Sequence, residues 1–448
     1  MTSLGRTFGY LWSSTALSNV ADGVLKVGGP LLAVSMTRSP TLVSLVGAAA
    51  TMPWLLFALH AGAIADRADR RRIMVLANAA RAVLLAAVAV LAGLGLLDLW
   101  LLLAAVLLAG VSEVFADTSA QSILPMAVPG KHLTRANGRV STAQMIGNDF
   151  LGAPLAGVLV AALPAVIFGA PALLYGLAGL LLLGMRGAYG PAGPSTEPNS
   201  EPGSEPGTGS SNGSSNGSSA GSSAGSSSGR RPLRRDIAEA LRYLWAHRVL
   251  RSLAITAGLL NLANAAYFAV LVLWAVGAES RIGLAPHEYG LMTTAFAVGA
   301  VLGSLLSARA AGWFGEFRTL VYAWLISSLL LLVPVFAPSP WTLYPTAVLW
   351  GVTGAAGNVL VISARQRLIP AELLGRVNSA YRLVGMGGMP LGAALGGVVA
   401  EFVGLGAVLA GSAGVCLVAV GLVRRALSDR ISRPLTSEPT LSDISGSR

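Results

Sequence analysis

Gly62-Ala-Ile-Ala-Asp66-Arg67-Ala-Asp69-Arg70-Arg71-Arg72 is a charged knot between two almost wholly apolar runs, Thr41 to Ala65 and Ile73 to Leu96. A bilayer core takes about 20 residues of α-helix to cross, and each run is long enough. The knot therefore reads as the turn of a membrane hairpin. The rest of the chain repeats the pattern: of 448 residues, 54% are hydrophobic and 11% charged, where an ordinary soluble domain carries about 25% charged residues. Ten further apolar blocks follow the same rule: Phe8 to Met36, Leu99 to Met126, Asn137 to Ala162, Ala165 to Arg186, Leu250 to Gly277, Glu288 to Ala311, Phe317 to Ala337, Trp341 to Gln366, Arg376 to Glu401 and Gly404 to Leu427. Twelve blocks predict an all-α integral membrane protein with lipid as its main solvent.

The first block is too long for a cleavable signal and carries Asp22 and Lys26, so it reads as a permanent helix. Cys416 is the sole cysteine, which excludes a disulfide framework within the chain and a multi-cysteine metal site. The net charge of +11 points to orientation in a membrane, not to nucleic acid. With the amino terminus in the cytoplasm, the inside-facing segments collect Arg67, Arg70 to Arg72, Lys131, Arg135, Arg139, Arg318 and Arg376, while the outward loops hold only Arg38 and Arg281. This positive-inside asymmetry places both termini in the cytoplasm of a bacterial inner-membrane protein.

Four regions are expected. Residues 1–186 form a six-helix bundle, 187–234 a Gly/Ser-rich linker with a basic end, 235–427 a second six-helix bundle with a leading amphipathic helix, and 428–448 a cytoplasmic tail. The linker has no apolar residues to bury and so should not fold; roughly forty such residues reach about 35 Å, which makes a tether. Beyond it, Ile237, Leu241 and Leu244 stand at helical spacing among arginines, the pattern of a helix lying on a membrane surface. The two bundles echo each other. Asn19-x-x-Asp22 parallels Asn261-x-x-Asn264, Gly62 parallels Gly303, and Val128-Pro129 to Asn137 parallels Ile369-Pro370 to Asn378. Gly152-x-Pro154-Leu155 parallels Gly388-x-Pro390-Leu391. Matches in common order predict a duplicated six-helix unit.

The knot resembles the loop signature of the major facilitator superfamily: Gly, three residues, Asp, Arg or Lys, any residue, Gly, then basic residues. Gly62, Asp66, Arg67, Arg71 and Arg72 match; Asp69 replaces the second glycine and, tolerating left-handed backbone less readily, is expected to loosen the turn. In this reading Gly62 lets helices approach closely, and Asp66 receives the positive start of a neighbouring helix, so that the cluster latches the cytoplasmic side. Gly147, Gly152, Pro154 and Gly157 resemble the fifth-helix signature of antiporting members. The Val128-Pro129 loop and its echo resemble the branch holding enterobactin exporters and macrolide or multidrug efflux proteins. The resemblance implies two pseudo-symmetric bundles around a midplane site, alternating access and export.

Ionisable residues inside spans are costly and so mark function. Asp22 and Lys26 stand four apart on one face, as mutual partners or as a cavity acid with its switchable counter-ion. Glu113 and Asp117 repeat that spacing with like charges, which disfavours double ionisation and suits a pair that holds and releases a proton. Asp149 lies about 18 Å into its helix, near mid-bilayer. Arg81 either snorkels or, preferably, pairs with Asp117. The second bundle offers Asn261, Asn264, Tyr267, Asn358 and Tyr381, with Trp274 and Trp350, as candidate cavity lining. No phosphate-binding Gly-x-x-x-x-Gly-Lys-Ser/Thr loop and no metal-binding His-Glu-x-x-His helix occur, so neither a cofactor, a metal nor enzymatic chemistry is expected. The reading is a monomeric secondary transporter that uses protons to export a small amphipathic molecule, such as a drug, siderophore or secreted metabolite. Its rivals are a proton-symport uptake permease and a receptor or assembly protein that has kept the fold.

Overall fold

In the computed structural model, residues 5–65, 67–129, 132–187, 189, 242–369 and 374–431 are described. Local chemistry sets the helix starts. Asp98 caps α4 by accepting from the Leu101 amide at 2.7 Å, and Ser339 caps α10 by accepting from Trp341. Proline occupies the first turn of α6, α8 and α10, where its missing N–H would have had no partner anyway. The helices are α1 (Arg6–Met36), α2 (Pro40–Ala65), α3 (Arg70–Gly93), α4 (Leu99–Ala127), a composite α5, α6 (Pro164–Leu183), α7 (Arg248–Ala275), α8 (Pro286–Phe314), α9 (Glu316–Leu330, resuming at Val333–Phe336), α10 (Pro340–Leu368), α11 (Leu374–Val403) and α12 (Leu405–Ile431). The composite α5 runs through Leu133–Met145, a π-helical turn at Ile146–Gly152, and Ala153–Ala162.

Eleven of the described helices are long and apolar enough to cross a membrane. The remaining rod, α1, is more polar because it turns Ser14, Thr15, Ser18, Asn19 and Asp22 inward, where all five are buried. Large aromatics stay exposed at both ends of the bundle: Trp100, Phe336, Trp341 and Phe402 at one, Trp245, Trp313 and Phe314 at the other. Such belts mark the two edges of a bilayer.

The duplication is visible in the packing. In the first half α1 packs on α5 and α6, α2 on α4, and α3 on α6; in the second, α7 packs on α11 and α12, α8 on α10, and α9 on α12. The halves meet through α2 against α11 and α5 against α8. Small residues permit the equivalent crossings. Added β-carbons would collide with α1 at Gly147 and Gly152, and with α7 at Gly388 and Gly392. The paired glycines Gly62 and Gly303 differ, however. Gly303 has the Val352 backbone hard against it, whereas a β-carbon at Gly62 would meet nothing within 4 Å. Among the described residues, the expected close helix contact at Gly62 does not form.

Of the surface segment predicted before α7, Ile237 and Leu241 lie outside the described residues; Leu244 is helical and buried. The Gly/Ser-rich linker and the tail from residue 432 also lie outside them.

Candidate functional site

The charges of the first half form two neighbouring groups along α1, one around Asp22 and one, a turn further on, around Lys26. In the first group, Asp22 Oδ1 accepts from Arg81 Nη1 at 2.9 Å and from the Tyr175 hydroxyl at 2.5 Å. Arg81 also donates through Nη2 to Asn78 Oδ1 at 3.1 Å, to which Ser18 donates as well. The guanidinium lies 4.2 Å from the centre of the Tyr175 ring, and Arg81 is 1% exposed. The expected pairing of Arg81 with Asp117 is corrected: α3 and α6 close over the buried face of α1, so the nearest acid is Asp22. Snorkelling is excluded by the same burial.

In the second group, Lys26 Nζ stands 3.1 Å from Glu113 Oε1 of α4. Asp22 and Lys26 share a helix face, yet they are not partners, because neighbouring helices supply each with a nearer opposite charge. Asp117, one turn beyond Glu113, lies within electrostatic reach of Glu113, Asp22, Lys26 and Arg81. With Asp149, four acids thus face two cations.

Asp149 sits on the π-helical turn of α5. That turn is held to α1 by Asn148 Nδ2, which donates to Asn19 Oδ1 at 2.8 Å, and by the near-contact of Gly147 with Asn19 and of Gly152 with Gly23. π-Turns inside α-helices recur at functional sites because they re-aim side chains; here the turn leaves Asp149 exposed. Pro154 is the second residue after the turn, and Gly157 meets the backbone of Pro286 and His287 in α8. Gly290 of α8 approaches Ala153, and Thr294 donates to the Asp149 carbonyl at 3.3 Å.

Between the halves lies a cavity of about 210 Å³. Lys26, Asn148 and Asp149 line it from the first half; Tyr267, Phe268, Phe296 and Trp350 are among its residues from the second. Trp350 is the centre of that aromatic wall, with ring centroids 4.7 Å from Phe268 and 5.0 Å from Phe296. Of the predicted lining, Tyr267 and Trp350 reach this cavity, and five residues do not. Asn261 donates to the Gly385 carbonyl and ties α7 to α11; Tyr381 donates to the Leu253 carbonyl beneath Arg365; Trp274 donates to the Pro334 carbonyl. Asn264 and Asn358 are absent from the lining, Asn264 with a buried Oδ1 and Asn358 exposed elsewhere. Phe268 and Phe296 were missed because an isolated phenylalanine in an apolar helix carries no signal of which face it occupies.

At the loop between α2 and α3, Asp66 lies outside the described residues. Asp69 is not a loosened turn: its φ of −69 is ordinary, and its carboxylate caps α3 by accepting from the Arg72 amide. Arg71 donates to the Leu182 and Leu183 carbonyls at 2.8 and 2.6 Å, fastening the loop to the last turn of α6. Arg67 and Arg72 are exposed.

Twin six-helix bundles, aromatic belts and a cavity between the halves walled by charge and by aromatic rings define a membrane transporter. The profile described as transmembrane secretion effector matches residues 4–186 and 224–438. The chain belongs to that family of major facilitator transporters, and is a transporter rather than an enzyme. It is 26% identical over 398 residues to the multidrug efflux pump Tap of Mycolicibacterium fortuitum, covering 87% of this chain and 88% of that protein. To macrolide efflux protein A of Streptococcus pyogenes it is 22% identical over 136 residues, 30% of this chain; that match spans only 34% of the relative's length. Among solved structures, an inward-facing, unoccupied bacterial homolog of the human lysosomal transporter Spinster matches with TM-score 0.68 and 14% identity, over 97% of this chain and 100% of that one. An inward-facing bacterial homologue of the iron transporter ferroportin matches with TM-score 0.67 and 15% identity, over 95% and 100%. These two likenesses concern the fold.

Proposed function

We propose that this protein is a secondary transporter of the bacterial inner membrane that exports a small amphipathic molecule in exchange for protons, by alternating access. In this reading the loop between α2 and α3 is cytoplasmic and the protein acts as a monomer. The observation that carries the proposal is the two-faced cavity. An amphipathic molecule can lay an apolar body on Trp350 and its neighbours while a polar or cationic group meets Asp149 and Asn148.

The charge groups support a division of labour. Asp22 is locked by Arg81 and Tyr175 and holds α1, α3 and α6 together. Lys26, half-exposed to the cavity, covers Glu113 and Asp117. A proton taken by that pair releases Lys26 toward the cavity, where it repels a cationic substrate and competes for Asp149. Proton and substrate then favour different charge arrangements of one site, the differential binding that coupling requires. Asp66 and its arginines latch the cytoplasmic side in the opposite state.

The test uses inside-out vesicles and a fluorescent lipophilic cation as probe. Acidifying the lumen should drive dye accumulation by the native chain, and Glu113→Gln or Asp117→Asn should abolish the dependence on the gradient. Full gradient-driven uptake by both variants would remove the pair from the mechanism. Dye leaving the vesicles with the proton gradient would favour symport uptake instead.

A further inference from the structure

The connection from α1 to α2 binds the second half of the molecule through successive residues. Arg38 donates through Nη1 to the Val276 carbonyl at 3.2 Å, its guanidinium lying against Gly277. Glu401, near the end of α11, accepts three hydrogen bonds on one oxygen: from Ser39 Oγ at 2.9 Å, Thr41 Oγ1 at 3.1 Å and the Thr41 amide at 3.2 Å. Thr41 Oγ1 also lies 3.5 Å from the Gly397 carbonyl, and Ser44 abuts Gly397 itself. Glu401 is the single acid of α11, in a half whose spans are otherwise poor in acids. It is exposed, so burial does not hold it. What holds it is the start of α2, whose first amides lack partners within the helix and carry the positive end of its dipole.

We propose that Glu401 and the start of α2 form an outer latch that holds the far end of the transporter shut while the loop end stands open. Helices α2 and α11 run antiparallel across the interface between the halves, since the start of one meets the end of the other. Along the chain, Asp66 directly follows the opposite end of α2. Opening the outer face separates α2 from α11 at this end and strips Glu401 of three donors at once. Small contacts that must all be broken together favour two discrete states over a continuum. The name "outer" rests on the orientation proposed above; the latch itself does not.

The experiment uses the full chain in lipid nanodiscs, with Cys416→Ala as background and spin labels at Leu96→Cys and Glu279→Cys across the far face. A second pair, Arg186→Cys with Arg318→Cys, spans the loop face. Pulsed distance measurements on the parent should show a narrow, short distribution across the far face. Glu401→Ala should move most molecules to a longer far-face distance and a shorter loop-face one. Ser39→Ala combined with Thr41→Val, which removes donors and leaves the acid, should do the same. Unchanged distances in either variant, or far-face lengthening without loop-face shortening, would overturn the latch. Labelling Glu279→Cys on intact cells with an impermeant thiol reagent tests the orientation separately. These distances need no substrate, so a failure of the export reading leaves them interpretable.

Discussion

Arg81 and Asp22 meet at 2.9 Å, 1% and 4% exposed, with the Tyr175 ring under the guanidinium and its hydroxyl on the same carboxylate oxygen. Two charges taken out of solvent hold each other only while both are present. Removing one leaves the other buried without compensation, at about 3–5 kcal/mol. Arg81→Leu should therefore lower the melting temperature in detergent far more than loss of an exposed arginine such as Arg72→Ala. The double variant Arg81→Leu with Asp22→Asn should recover much of the loss. If the double variant melts no higher than the single one, the pair is not the source of the stability.

Aromatic stacking on Trp350 makes a prediction that separates packing from binding. The residue touches the cavity and lies between Phe268 and Phe296. An aromatic pair contributes about 0.5–1.5 kcal/mol beyond the area it buries. Trp350→Ala should weaken binding of a planar lipophilic dye about tenfold, read by fluorescence titration, while Trp341→Ala, exposed at the start of α10 and outside the cavity lining, should leave it unchanged. Equal losses in both would mean that the dye does not stack on this wall.

Arg71 and Arg72 are neighbours in one basic run with different work. Arg71 closes two carbonyls of the last turn of α6, whereas the Arg72 side chain is exposed. Hydrogen bonds made by a charged group contribute about 1.5–3 kcal/mol when well formed, and partial exposure reduces that. Arg71→Ala should reduce thermal stability by several degrees; Arg72→Ala should shift it hardly at all. A thermal-shift series on the two variants decides it, and equal melting temperatures would count against the α6 contact.

Much of this architecture can be read along the chain. Helix count, duplication and membrane class follow from residue type at intervals along a line: Asn19 and Asn261, or Gly152 and Gly388, announce their equivalence without any knowledge of distance. Pairing is different. Asp22 and Lys26 stand four residues apart and look like partners, but Arg81 and Glu113 arrive from helices far away in sequence and take them separately. Tyr175 gives no signal at all, because a tyrosine in an apolar helix serves equally as a membrane anchor. Glu401 stands at the end of a predicted span and reads as a boundary marker; its partners come from the start of α2, some 360 residues away along the chain.

Gly62 shows how one conformation can hide the reason for a residue. In the loop motif a glycine at this place implies tight helix packing, yet among the described residues a β-carbon here would meet nothing within 4 Å. Its counterpart Gly303 is pressed against the Val352 backbone. If alternating access is right, the contact that requires Gly62 forms only when the loop face closes. Stability measured in the present state would then be blind to it. Gly62→Ala should leave the melting temperature unchanged, within about 0.5 kcal/mol as for a substitution into free space, but should slow dye export severalfold. Gly152→Ala, which forces a β-carbon to 2.7 Å from the Gly23 Cα, should impair both, by about 1–3 kcal/mol of stability. Vesicle flux and thermal denaturation on the same preparations give the two readouts. A Gly62→Ala chain that transports at the native rate would mean that the loop face closes without bringing another helix against this position.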